Sequence, residues 1–244
     1  MPEKHQVLLI DAVTWSPAYP ENNPLRDVGQ WFQRHLTAFD QIEFVVANAE
    51  SDFNDLIRPN TRGAIISGSP RDAWGDDPIN EKLSRFIASC RDHHVPTLGV
   101  CYGHQILARA LGGKVAPHPK GLEIGNTTIA LTPAGASSPL FKGLPRRIDV
   151  LSSHADAVHE MPEGCTLLAR GEFTPIQGFH WKNLLFGVQF HPEHDPETLR
   201  FVWSARRDQW RSQVSFDLDR TLDEMQPTPA GPMILKNFIQ HLVL

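Results

Sequence analysis

Residues 95–111 read VPTLGVCYGHQILARAL, and this stretch decides the fold. Its first part, 95–100, is an apolar run of the kind that forms a buried parallel strand. Its last part, 106–111, continues as a helix. Between them Gly99 and Gly103 stand two positions either side of Cys101. A sharp strand-to-helix turn holds its central residue in a strained backbone conformation, and small flanking residues let strand and helix approach closely. Such a turn projects the thiol outward and sets the sulfur at a helix N-terminus, where unpaired N–H groups and the helix dipole favour the thiolate. The backbone N–H of Tyr102 is then placed to donate to a developing oxyanion. The alternative at this point is a tight turn around an inert, packed thiol.

Outward from this turn, strand and helix patterns alternate. Residues 6–13 (QVLLIDAV) form an apolar run that predicts a buried strand. Asn23-Pro24 has the form of an N-cap with proline at the first helical position, and Leu25, Val28, Phe32 and Leu36 follow at helical spacing, which predicts one helix. Strands over 42–47 and 63–67 and a helix over 80–92 lead to the strand that enters Cys101. This alternation implies an α/β fold with a parallel sheet covered on both faces. Residues 113–189 change to short strand-like runs separated by Gly, Pro and Asn, read as strands that complete the same domain. Residues 196–226, with Leu199, Val202, Trp203 and Trp210 among mixed charges, predict one or two surface helices, the tryptophans packed inward or offered to a partner. After the break at 227–232 (PTPAGP), Ile234, Leu235, Phe238, Ile239 and Leu242 mark the docking face of a helix over 232–243. Residues 1–244 thus read as a single domain.

Composition narrows the function classes. Apolar residues make up 41% of the chain and charged residues 21%, as in ordinary soluble domains. A net charge of -5 without a basic stripe gives no reason to expect a nucleic-acid partner. No apolar run approaches the roughly 18 residues of a membrane-spanning helix, so no membrane partner and a cytoplasmic location are expected. Cys90, Cys101 and Cys165 are few, unevenly spaced and odd in number, which fits free thiols in a reducing compartment.

A second constellation lies far along the chain. Residues 184–190 form an apolar strand-like run that ends in His191-Pro192-Glu193, so a histidine and a carboxylate emerge together at a strand end. Histidine supplies a base, and the carboxylate can orient its ring and stabilise its charged form. With Cys101 this makes a Cys-His-Glu set. His191, Glu193, His194 and Asp195 are also crowded metal-ligand types, but the spacings of zinc proteases and EF-hands are absent and no metal is expected.

GVCYGHQ at 99–105 and GVQFHPE at 187–193 resemble the two signature segments of class I glutamine amidotransferases. The resemblance implies a flavodoxin-like α/β fold, a mostly parallel central sheet flanked by helices, with Cys101, His191 and Glu193 as the catalytic triad. Residues 65–70 (IISGSP) are similar to the family's glycine-rich loop, which implies that Gly68 and Ser69 carry the second oxyanion donor, beside Tyr102. Glycine usually stands where Ser69 does. Residues 151–156 (LSSHAD) are similar to the segment that holds the α-amino and α-carboxylate groups of glutamine, which implicates Ser153, His154, Ala155 and Asp156; Ala155 replaces a glycine often seen there, and Gln105 is similar to the glutamine that contacts the same end. Residues 120–125 (KGLEIG) are similar to a further loop near the site, where Glu123 would be available to an ammonium group.

The implied activity is hydrolysis of the γ-amide of L-glutamine, a small-molecule substrate, through a cysteinyl thioester. No cofactor is needed, and ammonia passes to an unidentified acceptor, for which a synthase partner chain is the candidate. The segments look closer to stand-alone relatives of the GMP synthase glutaminase domain than to the chains that serve anthranilate or carbamoyl phosphate synthesis. Two other readings stand beside it: a γ-glutamyl peptide hydrolase with the same triad, and a non-catalytic regulatory protein on this scaffold.

Overall fold

The computed structural model describes residues 4–53 and 55–244. In chain order the elements are β1 (His5–Asp11), α1 (Val28–Gln33), β2 (Ile42–Asn48), β3 (Thr61–Ile66), α2 (Pro78–Asp92), β4 (Thr97–Val100) and α3 (Tyr102–Ala110). Then follow β5 (Lys114–Pro117), β6 (Glu123–Leu131), α4 (Pro133–Ser137), β7 (Arg147–His154), β8 (Asp156–Glu160), β9 (Cys165–Gly171), β10 (Gly178–Trp181) and β11 (Leu185–Val188). The chain closes with α5 (Pro196–Ser204), α6 (Arg207–Arg211), α7 (Leu218–Asp223) and α8 (Ala230–Phe238), the last continued by a π-turn at Ile239–Val243.

Nine strands form one sheet in the order β2-β1-β3-β4-β11-β10-β9-β6-β7, while β5 and β8 pair as a separate ribbon. Strands β2, β1, β3, β4 and β11 are mutually parallel. From β11 onward each pairing is antiparallel, so within the sheet β10 and β6 run against the rest and the sheet is mostly parallel. Side chains alternate across its plane. Val7 and Leu9 face a core built with Val28, Trp31, Phe32, Leu235 and Phe238 from α1 and α8. Leu8 and Ile10 face the other core, with Leu83, Phe86, Ile106 and Leu107 from α2 and α3. Both faces are covered, which is why β1 reads as an unbroken apolar run.

Three expectations need correction. The helix predicted from Asn23 is two pieces: Asn23 caps a 3₁₀ turn at Pro24–Arg26, after which Asp27 is extended and its carboxylate caps α1 at the Gln30 N–H. A second cap restarted the helix, because an aspartate that satisfies a free N–H is more stable there than in a helix interior. Residues 196–226 hold three short helices rather than one or two. Pro232 lies inside α8, where the first turn needs no internal acceptor for its N–H, so proline is tolerated.

Strand β11 matters most for the site. It inserts between β4 and β10, with Gly187 opposite Gly99 and Val188 opposite Val100. The residues that leave β4 and β11 therefore emerge side by side at the carboxyl edge of the sheet, the usual location of ligands in open α/β folds.

Candidate active site

Cys101 follows β4 directly and sits at φ 51°, ψ -102°, a conformation that a non-glycine residue adopts only when its surroundings impose it. The flanking glycines show how. A Cβ on Gly99 would lie 2.4 Å from the carbonyl oxygen of Gly103, and one on Gly103 would lie 2.3 Å from that of Ile66. Strand and helix touch backbone to backbone, and the residue between them is forced outward into the left-handed region. Tyr102 is the first residue of α3, so its N–H is one of those that a helix leaves without an internal acceptor.

His191 reaches the same point from β11. Its Nδ1–H donates to Glu193 Oε1 at 2.7 Å, and this fixes the tautomer, because a carboxylate can only accept. The ring and Cys101 line the same recess. Gly68 is wedged against both: a Cβ there would stand 2.8 Å from His191 Cε1 and 3.6 Å from Cys101 Cβ. Ser69, next to it, has no left-handed φ, so its Cβ imposes no backbone strain on the loop.

Burial opposes the charged form of His191, but the Glu193 carboxylate and then Cys101 outweigh it and raise its pKa well above the ordinary histidine value. Burial likewise opposes the Glu193 carboxylate, and the charge on His191 more than compensates, holding its pKa below the usual glutamate range. His194 stacks on His191 with centroids 4.4 Å apart and planes 4° from parallel. Burial drives its own pKa down to about 3, so it stays neutral beside the charged ring. The ligand atoms of His191, Glu193 and His194 lie within 4.8 Å of one another, a spacing that invites a metal. Stacking argues otherwise, since the in-plane lone pairs of two parallel rings run side by side instead of converging on one ion. Asp195 is engaged elsewhere, capping α5 at the Thr198 N–H and pairing with Arg34.

The linkage to pH has a definite sign. The raised His191 pKa contributes stability below 6.5, lost as pH rises through its folded value. The depressed Glu193 pKa contributes stability above 4.5, lost as pH falls through its folded value. Both contributions are present together between those two values. Glu193→Gln removes the pair, and its stability deficit against the native chain is expected to be largest in that window and to shrink on either side. Thermal melts across pH check it; a deficit that does not vary with pH contradicts the pairing. The same variant is expected to lose about 10² or more in kcat/KM, the scale of a general acid–base contribution.

Two recesses meet at Cys101, sharing Ser69, Pro70, Ser153 and Arg206 on their rims. The wider one, about 410 Å³, carries Gln105, His154, Ala155 and Asp156. Gln105 Nε2 donates to the Asp156 carbonyl at 2.9 Å and to Gln189 Oε1 at 3.2 Å, while the amide of Gln189 points at Cys101 Sγ from 3.7 Å. The narrower one, about 50 Å³, carries His191, Glu193 and Gly68 with Trp15, Tyr19 and Trp31.

Of the expected site residues, Tyr102, which directly follows Cys101, and Glu123 line neither recess. The Glu123 carboxylate is buried, paired with His154 Nε2 at 2.8 Å and accepting from Gln177 Nε2 at 2.9 Å. Both bonds end on Oε2, and through them Glu123 braces His154 from behind.

Other residues carry the site without having been legible as site residues. Gln189 links Gln105 to the thiol. Arg34 and His35 both bind the Glu193 carbonyl, at 2.8 and 3.2 Å, pinning the loop after β11. Trp203 donates to Ser153 Oγ at 2.8 Å and forms a recess wall with Trp210, which gives the 196–226 segment a place in the site. The loop after β1 holds Trp15 and Tyr19, and the position of that loop at the carboxyl edge of a parallel strand was the signal that could have found them.

The sequence matches the family model "Glutamine amidotransferase class-I" over residues 27–202. The chain belongs to the class I glutamine amidotransferase family. As a member of that family it is 37% identical over 139 residues to gamma-glutamyl peptidase 5 of Arabidopsis thaliana, covering 56% of this chain and 55% of the relative. It is 35% identical over 167 residues to a subunit of the glutamine-hydrolyzing GMP synthase of Pyrococcus abyssi, covering 65% of this chain and 83% of that one. The alignment thus spans little more than half the length of the peptidase. A glutamine amidotransferase from Thermotoga maritima shares the fold with a TM-score of 0.77 at 21% identity, covering 98% of this chain and 97% of that one. Like that solved structure, this member is an α/β protein with helices on both faces of its sheet, and among the described residues no helix is long and apolar enough to cross a membrane.

Proposed function

We propose that this class I amidotransferase is a cysteine-dependent hydrolase of γ-glutamyl amides, with L-glutamine its smallest substrate. The observation that carries the proposal is the line from the strained thiol of Cys101 through His191 to the Glu193 carboxylate, at the junction of the two recesses. The glutamyl group occupies the wider recess, with its α-amino and α-carboxylate groups among Gln105, Ser153, His154, Ala155 and Asp156. Cys101 attacks the γ-carbonyl carbon as the thiolate, and the N–H groups of Tyr102 and Ser69, the latter on the loop with Gly68, receive the oxyanion. His191 gives its proton to the departing nitrogen, the C–N bond breaks, and a glutamyl thioester remains on Cys101. Water then attacks the thioester as His191 takes its proton; the thiolate leaves and glutamate is released. Glu193 keeps the imidazole in one tautomer and stabilises its charged form throughout.

Delivery of ammonia to a synthase chain is the second reading, and the similarity to the GMP synthase of Pyrococcus abyssi favours it. The similarity to a γ-glutamyl peptidase and the size of the recess on the His191 side favour a larger leaving group. Amine release from L-glutamine and from a γ-glutamyl dipeptide, each compared with Cys101→Ala, tests the proposal. Cys101-dependent release from either substrate supports it. Release from neither, or release that survives the substitution, overturns it.

A further inference from the structure

The narrow recess on the His191 side has a lining that ammonia does not need. A proton donor must stand beside the atom that departs, and His191 lines this recess and not the wider one. The leaving group therefore exits here. Gln105, His154 and Asp156, which suit an α-amino acid, line only the other recess, while Ser153 lines both. Beside polar Thr14, Ser153 and Arg206, the narrow one carries an apolar set: Val13, Trp15, Tyr19 and Trp31 from the chain after β1, and Val202 from α5.

This wall is built rather than incidental. Trp15 meets Tyr19 edge to face at 4.9 Å and Trp31 at 5.9 Å, and Phe201 of α5 packs on both Trp15 and Tyr19. The Tyr19 hydroxyl donates to the Val202 carbonyl, and Trp31 Nε1 donates to the Leu25 carbonyl at 2.9 Å. The donor groups of Tyr19 and Trp31 are thereby committed to backbone carbonyls, and their rings turn a hydrocarbon surface to the recess. A single water or ammonia molecule needs about 10–15 Å³. The recess offers about 50 Å³, several times what one ammonia needs. Arg206 stands on its rim beside the Tyr19 hydroxyl, and among the described residues it forms no ion pair, so a carboxylate on the leaving group has a partner available.

We infer that this recess is a leaving-group subsite selective for an apolar amino acid, so that the preferred substrates are γ-glutamyl dipeptides with a second residue such as leucine. The inference rests on the γ-glutamyl hydrolase reading and adds to it the class of amine. The apolar side chain fills the recess, the carboxylate of that residue meets Arg206, and the amine nitrogen leaves past His191. In the reaction the amide C–N bond breaks, the nitrogen takes the proton held by His191, the carbonyl carbon bonds to Cys101 sulfur, and water later restores the thiolate and yields glutamate.

The test compares kcat/KM for γ-L-glutamyl-L-leucine, γ-L-glutamylglycine and L-glutamine in the native chain, Trp15→Ala and Cys101→Ala. The leucyl substrate is expected to exceed the glycyl one by about tenfold or more, the scale of discrimination that one or two buried methylenes supply. Trp15 is half-buried on the loop, and Trp15→Ala is expected to bring that ratio toward one. A native ratio near one, or a Trp15→Ala variant that keeps the native ratio, overturns the subsite. Val202→Asp supplies a second reading of the same wall, and it too is expected to collapse the ratio; retention of the ratio in that variant counts against the subsite equally. Failure of the underlying hydrolase reading looks different: no amine release from any of the three substrates, or release that persists in Cys101→Ala.

Discussion

Cys101→Ala is expected to lower kcat/KM for any γ-glutamyl substrate by about 10⁴-fold or more, the scale seen when a nucleophile that works in concert with its base is removed. The fold is expected to tolerate the change. The side chain loses one buried atom, alanine meets the same φ of 51° with no bulkier Cβ, and the hydrogen bond from the Cys101 N–H to the Val188 carbonyl, 2.9 Å, is a backbone bond. Steady-state kinetics and a thermal melt check both halves of the expectation. A variant that is inactive because it is unfolded does not satisfy it, and a folded variant with native turnover refutes the role of the thiol.

Gly103→Val is expected to destabilise the chain by about 3 kcal/mol or more, at the upper end of the range for overpacking a close-packed interior. Even the first carbon of the new side chain falls 2.3 Å from the Ile66 carbonyl oxygen and 3.0 Å from its carbon. These are backbone atoms of β3, held on one side by β1 and on the other by β4, so they cannot step aside. The helix must lift from the sheet. Because the Tyr102 N–H and the Cys101 sulfur ride on that helix start, the surviving folded fraction is expected to be about 10²-fold less active, the consequence of displacing reacting groups by an ångström. Denaturant unfolding with activity per folded molecule separates the two effects; native stability in this variant would contradict the elbow geometry.

Much of this was readable from residues 95–111 and 184–193, because local chemistry dictates those segments. A strand followed at once by a helix, with glycine on either side of a cysteine, admits few backbone solutions, and the strained φ at Cys101 is the one found. His191 and Glu193 are two residues apart, so their pairing needs only the loop after β11. Their meeting with Cys101 is another matter: it depends on β11 inserting beside β4, a pairing across the whole second half of the chain that no local pattern encodes.

The wall of the narrow recess was hidden for the same reason. Trp15 and Tyr19 fall in an irregular loop, where neither period 2 nor period 3.6 assigns a side chain to a face. Their neighbour Phe201 is contributed by α5, from the far end of the chain. Glu123 is a different case. The motif around it located the residue near the site, but its two hydrogen bonds, to His154 and Gln177, are long-range and no local pattern encodes them. The restart of the helix at Asp27 is subtler, since a capping aspartate and a helical aspartate look alike until the N–H it satisfies is known.

The most direct test of the central claim is covalent labelling with an electrophilic ketone analogue of glutamine, followed by peptide mapping. The account predicts stoichiometric modification of Cys101, loss of turnover in step with labelling, protection by a γ-glutamyl substrate, and no modification of Cys90, which is fully buried with its thiol pKa pushed up to about 12. Complete loss of turnover with Cys101 unmodified, or full modification of Cys101 with turnover intact, would contradict it.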